Sequence, residues 1–126
     1  MMKMLISDTD ESCHLLYKKH FGDKFDVIFT ADIENFIEEL NTTKYDVIIL
    51  DPIYRRQQVG ESLLKKIRND SLSNEAYVIC ITAYIEKELE TISYNFGANH
   101  FLLKPTNFKN LRAKILDALT DVGQII

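Results

Sequence analysis

Five short apolar runs recur along the chain, and the residues between them follow a helical spacing. Several runs, such as Val47–Leu50, are continuously apolar rather than alternating, which is typical of strands buried on both faces of a parallel sheet. The predicted strands are Lys3–Ser7, Phe25–Ala31, Asp46–Leu50, Tyr77–Ile81 and His100–Leu103.

The segments between these strands place apolar residues three and four positions apart, which favours amphipathic helices. One stripe, Ile33–Leu40, follows Asp32 as an N-cap candidate, and another, Ile85–Phe96, ends before Gly97 in the C′ position. The other predicted helices lie near Asp10–His20, near Gly60–Asn69, and at Phe108–Leu119 behind Thr106 and Asn107. The alternation predicts one α/β domain over residues 1–126, a flavodoxin-like doubly wound (βα)5 fold with sheet order 2-1-3-4-5 and helices on both faces.

Charge and hydrophobicity exclude several classes of function. The 126 residues carry a net charge of -4, a poor match for nucleic acid, so we expect no direct nucleic acid binding. No apolar run approaches the roughly 20 residues of a membrane span, so we expect no membrane association and a cytoplasmic protein. A nucleotide- or flavin-binding α/β protein is a rival class, but the chain has only four glycines and no phosphate-binding glycine motif, so we expect no organic cofactor.

Polar residues follow four of the five predicted strands. Asp8 follows the first strand, Asp51 the third and Thr82 the fourth, and Lys104 follows the fifth. The carboxyl ends of parallel strands share one edge of the sheet, and the first and third strands are neighbours at the switch point. We therefore expect these four side chains to converge.

Such a cluster suits phosphoryl chemistry. Close carboxylates repel one another unless a cation joins them, and oxygen ligands with room for water suit Mg²⁺. A free carboxylate can act as a nucleophile, while a lysine and a metal ion neutralise charge on a transferring phosphoryl group.

The chain resembles, over essentially its whole length, the receiver domains of two-component response regulators, including CheY-like single-domain proteins. The resemblance rests on four motifs in combination. They are Met4-Leu5-Ile6-Ser7-Asp8, Tyr45-Asp46-Val47-Ile48-Ile49-Leu50-Asp51, Ile81-Thr82-Ala83 and Phe101-Leu102-Leu103-Lys104-Pro105.

The resemblance implies a phosphoacceptor in a phosphorelay rather than a conventional enzyme. A sensor histidine kinase or a histidine phosphotransfer protein would supply the phosphoryl group in an Mg²⁺-dependent reaction. The resemblance implies that Asp51 is the phosphoacceptor and that Asp8, Asp51 and the Ile53 carbonyl are the metal ligands. It implies that Thr82 and Lys104 contact the phosphoryl group and that Thr82 and Phe101 are the switch residues. It also implies a cis peptide before Pro105.

The resemblance also implies an output surface formed by the fourth helix, fifth strand and fifth helix. Contacts with a downstream protein or with a second copy would change there on phosphorylation. The residues expected on this face are Glu86, Lys87, Glu90, Tyr94, Phe101, Lys109 and Arg112.

Three departures from the family pattern bear on these roles. Thr9 stands where the family has a second acid, so we expect weak Mg²⁺ binding, with Asp10 as a candidate replacement ligand. The loop after Asp51 is one residue longer and begins with Pro52, and bulky Tyr84 follows Thr82 by two positions. The alternative hypothesis is a degenerate receiver that binds proteins without being phosphorylated.

Overall fold

The computed structural model describes residues 1–121, within which five strands form one parallel sheet and two short strands form a separate hairpin. The strands are β1 (Met2–Ser7), β2 (Phe25–Thr30), β3 (Val47–Leu50), β4 (Ile53–Tyr54), β5 (Gln57–Gln58), β6 (Tyr77–Thr82) and β7 (His100–Leu103). The sheet order is β2-β1-β3-β6-β7, which is the predicted order 2-1-3-4-5 with β6 and β7 as the fourth and fifth strands. The predicted fold class is therefore confirmed, while the domain boundary at residue 126 lies outside the described residues.

Within residues 1–121, four helices connect the strands of the sheet and a fifth follows β7. They are α1 (Cys13–Phe21), α2 (Ile33–Thr42), α3 (Gly60–Asn69), α4 (Lys87–Asn95) and α5 (Phe108–Asp121). None of the helices in the described part of the chain combines the length and hydrophobicity of a membrane span.

The core lies on both faces of the sheet, as continuously apolar strands require. All four residues of β3 are buried, and successive side chains point to opposite faces. Ile48 and Leu50 pack with α2, α3 and α4, whereas Val47 and Ile49 pack with α1 and α5. The central strand is thus held from both sides, which fixes the position of the residue that follows it.

Local signals lie at three of the helix ends where the sequence predicted them. The Asp32 carboxylate accepts a hydrogen bond from the backbone N–H of Asn35 and caps α2. Gly97 follows α4 with φ of 112°, a conformation that glycine adopts readily. Asn107 caps α5 by accepting from the N–H of Asn110.

Ile85, predicted to begin the apolar stripe of the fourth helix, lies before α4 and is 85% exposed, because the helix begins at Lys87. Two further local features differ from prediction. Helix α1 begins at Cys13 rather than near Asp10, because Asp10 accepts hydrogen bonds from Ser12 and forms a turn instead. The segment after Asp51, predicted only as a loop, contains the hairpin β4–β5. Its tip residues, Arg55 and Arg56, adopt left-handed conformations with φ of 49° and 67°. The turn contains no Asn-Gly or Asp-Gly pair, so the sequence did not predict a hairpin here.

Candidate functional site

Four strands deliver polar side chains to one edge of the sheet. Asp8 follows β1, Asp51 follows β3, Thr82 ends β6 and Lys104 follows β7. Since β1, β3, β6 and β7 are adjacent and parallel, their carboxyl ends lie side by side. The structure thus brings together the four side chains that the sequence predicted to converge.

Lys104 lies between the two carboxylates. Its Nζ donates to Oδ1 of Asp8 at 3.0 Å and to Oδ2 of Asp51 at 3.4 Å. Burial alone would lower the pKa of Lys104, but the hydrogen bonds and charges of the two carboxylates outweigh burial and raise it. The lysine therefore remains an ammonium group that neutralises part of the acidic pair.

Asp51 is a largely buried carboxylate, with its side chain 13% exposed. Burial raises its pKa above the ordinary value of 3.8, against the opposing effects of the Ile53 N–H, Lys104 and Thr82. The second oxygen, Oδ1, accepts from the Ile53 N–H at 2.9 Å, so a backbone donor is present although Pro52 has none to offer. One oxygen of Asp51 is thus held by the backbone and the other faces Lys104.

The hairpin after Asp51 is anchored at its base. The Pro52 carbonyl accepts from the N–H groups of both Val59 and Gly60, at 2.8 and 3.1 Å. A Cβ at Gly60 would lie only 2.6 Å from Cβ of Pro52, so this close approach requires glycine. Gly60 therefore closes the longer loop against Pro52, the residue next to Asp51.

Thr82 is fully buried, and its hydroxyl partly opposes the rise that burial causes in the pKa of Asp51. Its Oγ1 also accepts from the backbone N–H of Tyr84 at 3.3 Å. The Tyr84 side chain is 42% exposed, so this bulky residue stands at the surface rather than inside the pocket.

Asp10 does not bring its carboxylate to this pair. Its side chain accepts from the N–H and hydroxyl of Ser12 and from the thiol of Cys13, and these bonds hold its pKa below the usual range. Its backbone N–H instead donates to Oδ1 of Asp8 at 2.9 Å. Asp10 therefore orients Asp8 through its backbone.

The donor set suits a hydrated magnesium ion. Asp8 and Asp51 are two buried carboxylates sharing one lysine, and Mg²⁺ is commonly held through one or two carboxylates with water completing the shell. Within residues 1–121, no third acid, histidine or cysteine joins them. The pocket therefore fits Mg²⁺ with few protein ligands.

A hydrogen bond that the sequence did not predict joins α4 to the edge strand β7. The N–H of Phe101 in β7 donates to the hydroxyl of Tyr94 in α4 at 3.1 Å. The Phe101 side chain is 9% exposed and belongs to the core. Beside it, Ile85 and Leu103 are 85% and 44% exposed and line a groove between α4 and β7.

The peptide bond between Lys104 and Pro105 is cis, as the resemblance implied.

Comparisons with known proteins agree with this arrangement. The response regulator receiver domain family matches residues 4–116. The transcriptional regulatory protein ZraR of Escherichia coli (strain K12) is 25% identical over 122 residues, which are 97% of this chain and 27% of that protein. The alkaline phosphatase synthesis transcriptional regulatory protein PhoP of Bacillus subtilis (strain 168) is 25% identical over 114 residues, covering 90% of this chain and 46% of that protein. The chain thus spans less than half the length of either relative.

Solved structures give the same result. A two-component response regulator from Clostridium difficile superposes with a TM-score of 0.87 and 27% identity, covering 98% of this chain and 99% of that chain. A CheY-like receiver domain protein from Methanospirillum hungatei JF-1 gives a TM-score of 0.85 at 24% identity, over 96% and 95% of the two chains, and this likeness supports the fold alone. Because the family match spans most of the sequence and the fold agrees, this chain belongs to the response regulator receiver domain family of two-component signalling.

Proposed function

We propose that the chain accepts a phosphoryl group on Asp51 in an Mg²⁺-dependent reaction. The observation that carries this proposal is the position of Asp51 at the end of the fully buried strand β3, with Nζ of Lys104 3.4 Å from its Oδ2. The donor would be a sensor histidine kinase or a histidine phosphotransfer protein.

The chain's own groups have distinct parts in this reaction. A carboxylate oxygen of Asp51 attacks phosphorus, the bond from phosphorus to the donor's leaving atom breaks, and the leaving group departs with the bonding electrons. Lys104 and the Thr82 hydroxyl stand beside Asp51 to stabilise the phosphoryl oxygens. Mg²⁺ held by Asp8 and Asp51, with the Ile53 carbonyl as a proposed further ligand, would neutralise negative charge on the transferring group.

The proposed consequence is a change in the α4–β7–α5 surface. Thr82 moves toward the phosphoryl group, and Phe101 fills the space that it leaves. A partner protein or a second copy of the chain would then bind the altered groove lined by Ile85 and Leu103. Such a switch biases binding only by the free-energy difference between its two states.

A specific observation also supports a second candidate, the degenerate receiver. Thr9 supplies no charge, and the Asp10 carboxylate is bonded to Ser12 and Cys13. A pocket with only two carboxylates binds a hard cation weakly, because charge count is a main determinant of affinity. In this alternative the domain binds its partner without phosphorylation.

Intact-mass measurement after incubation with acetyl phosphate and Mg²⁺ separates the two candidates. The wild-type protein is expected to gain one phosphoryl group, and Asp51→Asn is expected to gain none. Asp26→Asn, which removes an exposed carboxylate on β2, is the matched control and should react like wild type. If the wild-type protein stays unmodified while a control receiver reacts under the same conditions, the degenerate-receiver alternative is supported instead.

A further inference from the structure

The hairpin after Asp51 sets the direction of one backbone N–H that reaches the acceptor carboxylate. Val59 lies opposite Pro52 in the continued register of β4 and β5, and its N–H donates to the Pro52 carbonyl at 2.8 Å. In an antiparallel pair, residues that share such bonds alternate with residues whose N–H and C=O groups point away from the partner strand. Ile53, the next residue, therefore turns both groups away from β5, and its N–H donates to Oδ1 of Asp51 at 2.9 Å.

This direction depends on the register of the hairpin. Because proline has no N–H, Ile53 provides the first backbone donor after Asp51. If a shift of one residue placed Ile53 opposite Val59, the N–H of Ile53 would face β5 and could no longer donate to Asp51. The contacts that fix the register thus also fix one oxygen of the acceptor carboxylate.

Pro52 and Gly60 fix this register by direct packing. Both residues are buried, and the N–H of Gly60 donates to the Pro52 carbonyl at 3.1 Å. A Cβ at residue 60 would lie only 2.6 Å from Cβ of Pro52, so any larger residue there must displace the rigid proline ring. Since Pro52 lies between Asp51 and Ile53 in the chain, its displacement moves the hydrogen-bond donor relative to the acceptor.

We propose that Pro52 and Gly60 are a positioning pair for the acceptor site. Their contact holds the N–H of Ile53 against Oδ1 of Asp51, and this bond orients the carboxylate for Mg²⁺ and for the phosphoryl group. Loss of a group that orients a metal ligand typically lowers metal affinity about 10- to 100-fold. This inference rests on the proposed phosphoacceptor function and adds two positioning residues to it.

Gly60→Ala tests the pair directly. The added Cβ must displace Pro52, and we expect Mg²⁺ affinity to fall by about ten-fold or more in calorimetric titration of the full chain without a phosphoryl donor. Amide NMR of the metal-free protein gives a second measurement. The N–H of Ile53 should exchange with solvent faster than in wild type, because its bond to Asp51 is weakened.

Two variants at Pro52 show whether the two residues act as a unit. Pro52→Gly removes the ring contact without introducing a clash, and it should bind Mg²⁺ more weakly than wild type. In Pro52→Gly/Gly60→Ala, the nearest atom of residue 52 to the new Cβ is its Cα, 3.3 Å away, so a small shift is enough to relieve the contact. This double variant should bind Mg²⁺ as tightly as Pro52→Gly alone, so the effects of the two substitutions are not additive.

Gly22→Ala is the matched control for lost stability. A Cβ at Gly22 would lie 2.5 Å from the carbonyl oxygen of Lys18, which is a comparable steric conflict. Gly22 follows α1 and precedes β2, so it lies toward the amino ends of the strands, away from Asp51. Its substitution should lower the melting temperature and leave Mg²⁺ affinity at the wild-type value.

Wild-type Mg²⁺ affinity in Gly60→Ala would overturn the inference, and if that variant does not fold, wild-type affinity in Pro52→Gly would do so. An equal loss of affinity in Gly22→Ala would also overturn it, because a general loss of stability would then be the cause. Intact-mass measurement of wild type with acetyl phosphate tests the underlying function separately. The absence of an adduct despite Mg²⁺ binding would overturn the phosphoacceptor function alone, whereas the absence of Mg²⁺ binding in wild type would overturn both.

Discussion

Nζ of Lys104 lies 3.0 Å from Oδ1 of Asp8, although 96 positions separate the two residues in sequence. Asp8 is 5% exposed, so its charge is compensated inside the protein rather than by solvent. The same ammonium group reaches Asp51, which follows β3. The ends of three strands are therefore joined through one lysine.

Replacing Lys104 by Met should destabilise the domain. Asp8 and Asp51 lose their shared cation and remain as two buried like charges, and we expect a loss of about 1–3 kcal/mol in the free energy of unfolding. Lys65→Met, which breaks an exposed pair with Glu61, should cost less than about 1 kcal/mol. Urea denaturation of both variants measures this, and equal losses would show that burial of the pair is unimportant. Saturating Mg²⁺ should reduce the loss in Lys104→Met, because the ion replaces the missing charge.

Asp51→Asn should stabilise the protein at neutral pH. The pKa of Asp51 is raised by burial, so the folded state holds the proton more tightly than the unfolded state. Stability of wild type therefore falls as pH rises from the ordinary value of 3.8 through the raised value, and Asp51→Asn lacks this loss. We expect the advantage of the variant to be largest near pH 7 and to shrink toward pH 4 in urea denaturation. Asp26→Asn, at an exposed site, should show little advantage at any pH, and a similar pH-independent gain in both variants would contradict the prediction.

Thr9→Asp should strengthen Mg²⁺ binding. A carboxylate about 4 Å from a divalent ion adds about 2 kcal/mol of attraction even at the dielectric constant of water, which corresponds to about a thirty-fold change in affinity. Thr9→Asn has a similar shape without the charge and should bind like wild type. Calorimetric titration without any phosphoryl donor makes the comparison. Equal affinity of Thr9→Asp and wild type would mean that residue 9 does not face the metal.

Beryllofluoride, a mimic of the phosphoryl group, should perturb residues far from Asp51. With Mg²⁺ present, we expect amide NMR shifts at Thr82, Phe101 and throughout α4, because Tyr94 links α4 to the backbone of β7. Tyr94→Phe removes only that hydroxyl and should reduce the shift at Phe101 while leaving the response of Thr82. Shifts confined to residues next to Asp51 would exclude the proposed switch.

The sequence by itself determined the framework and four positions of the candidate site. Continuous apolar runs require a sheet covered on both faces, and that requirement places residues 8, 51, 82 and 104 at the same edge of the sheet. Caps at Asp32 and Gly97 were also readable, because they depend on a few neighbouring residues. Such local and periodic signals survive without knowledge of the tertiary contacts.

Only the tertiary structure determined the hydrogen bonds and backbone conformations of several residues between these positions. The Asp10 carboxylate could have faced the metal pocket, but it accepts hydrogen bonds from Ser12 and Cys13 at the start of α1 instead. Arg55 and Arg56 contradict the usual turn preference, so packing of the hairpin base, rather than local propensity, set their conformation. The bond between Tyr94 and Phe101 joins a helix to an edge strand and has no periodic signal. For the hairpin tip and for the bond between Tyr94 and Phe101, contacts that exist only in the folded chain determined the outcome.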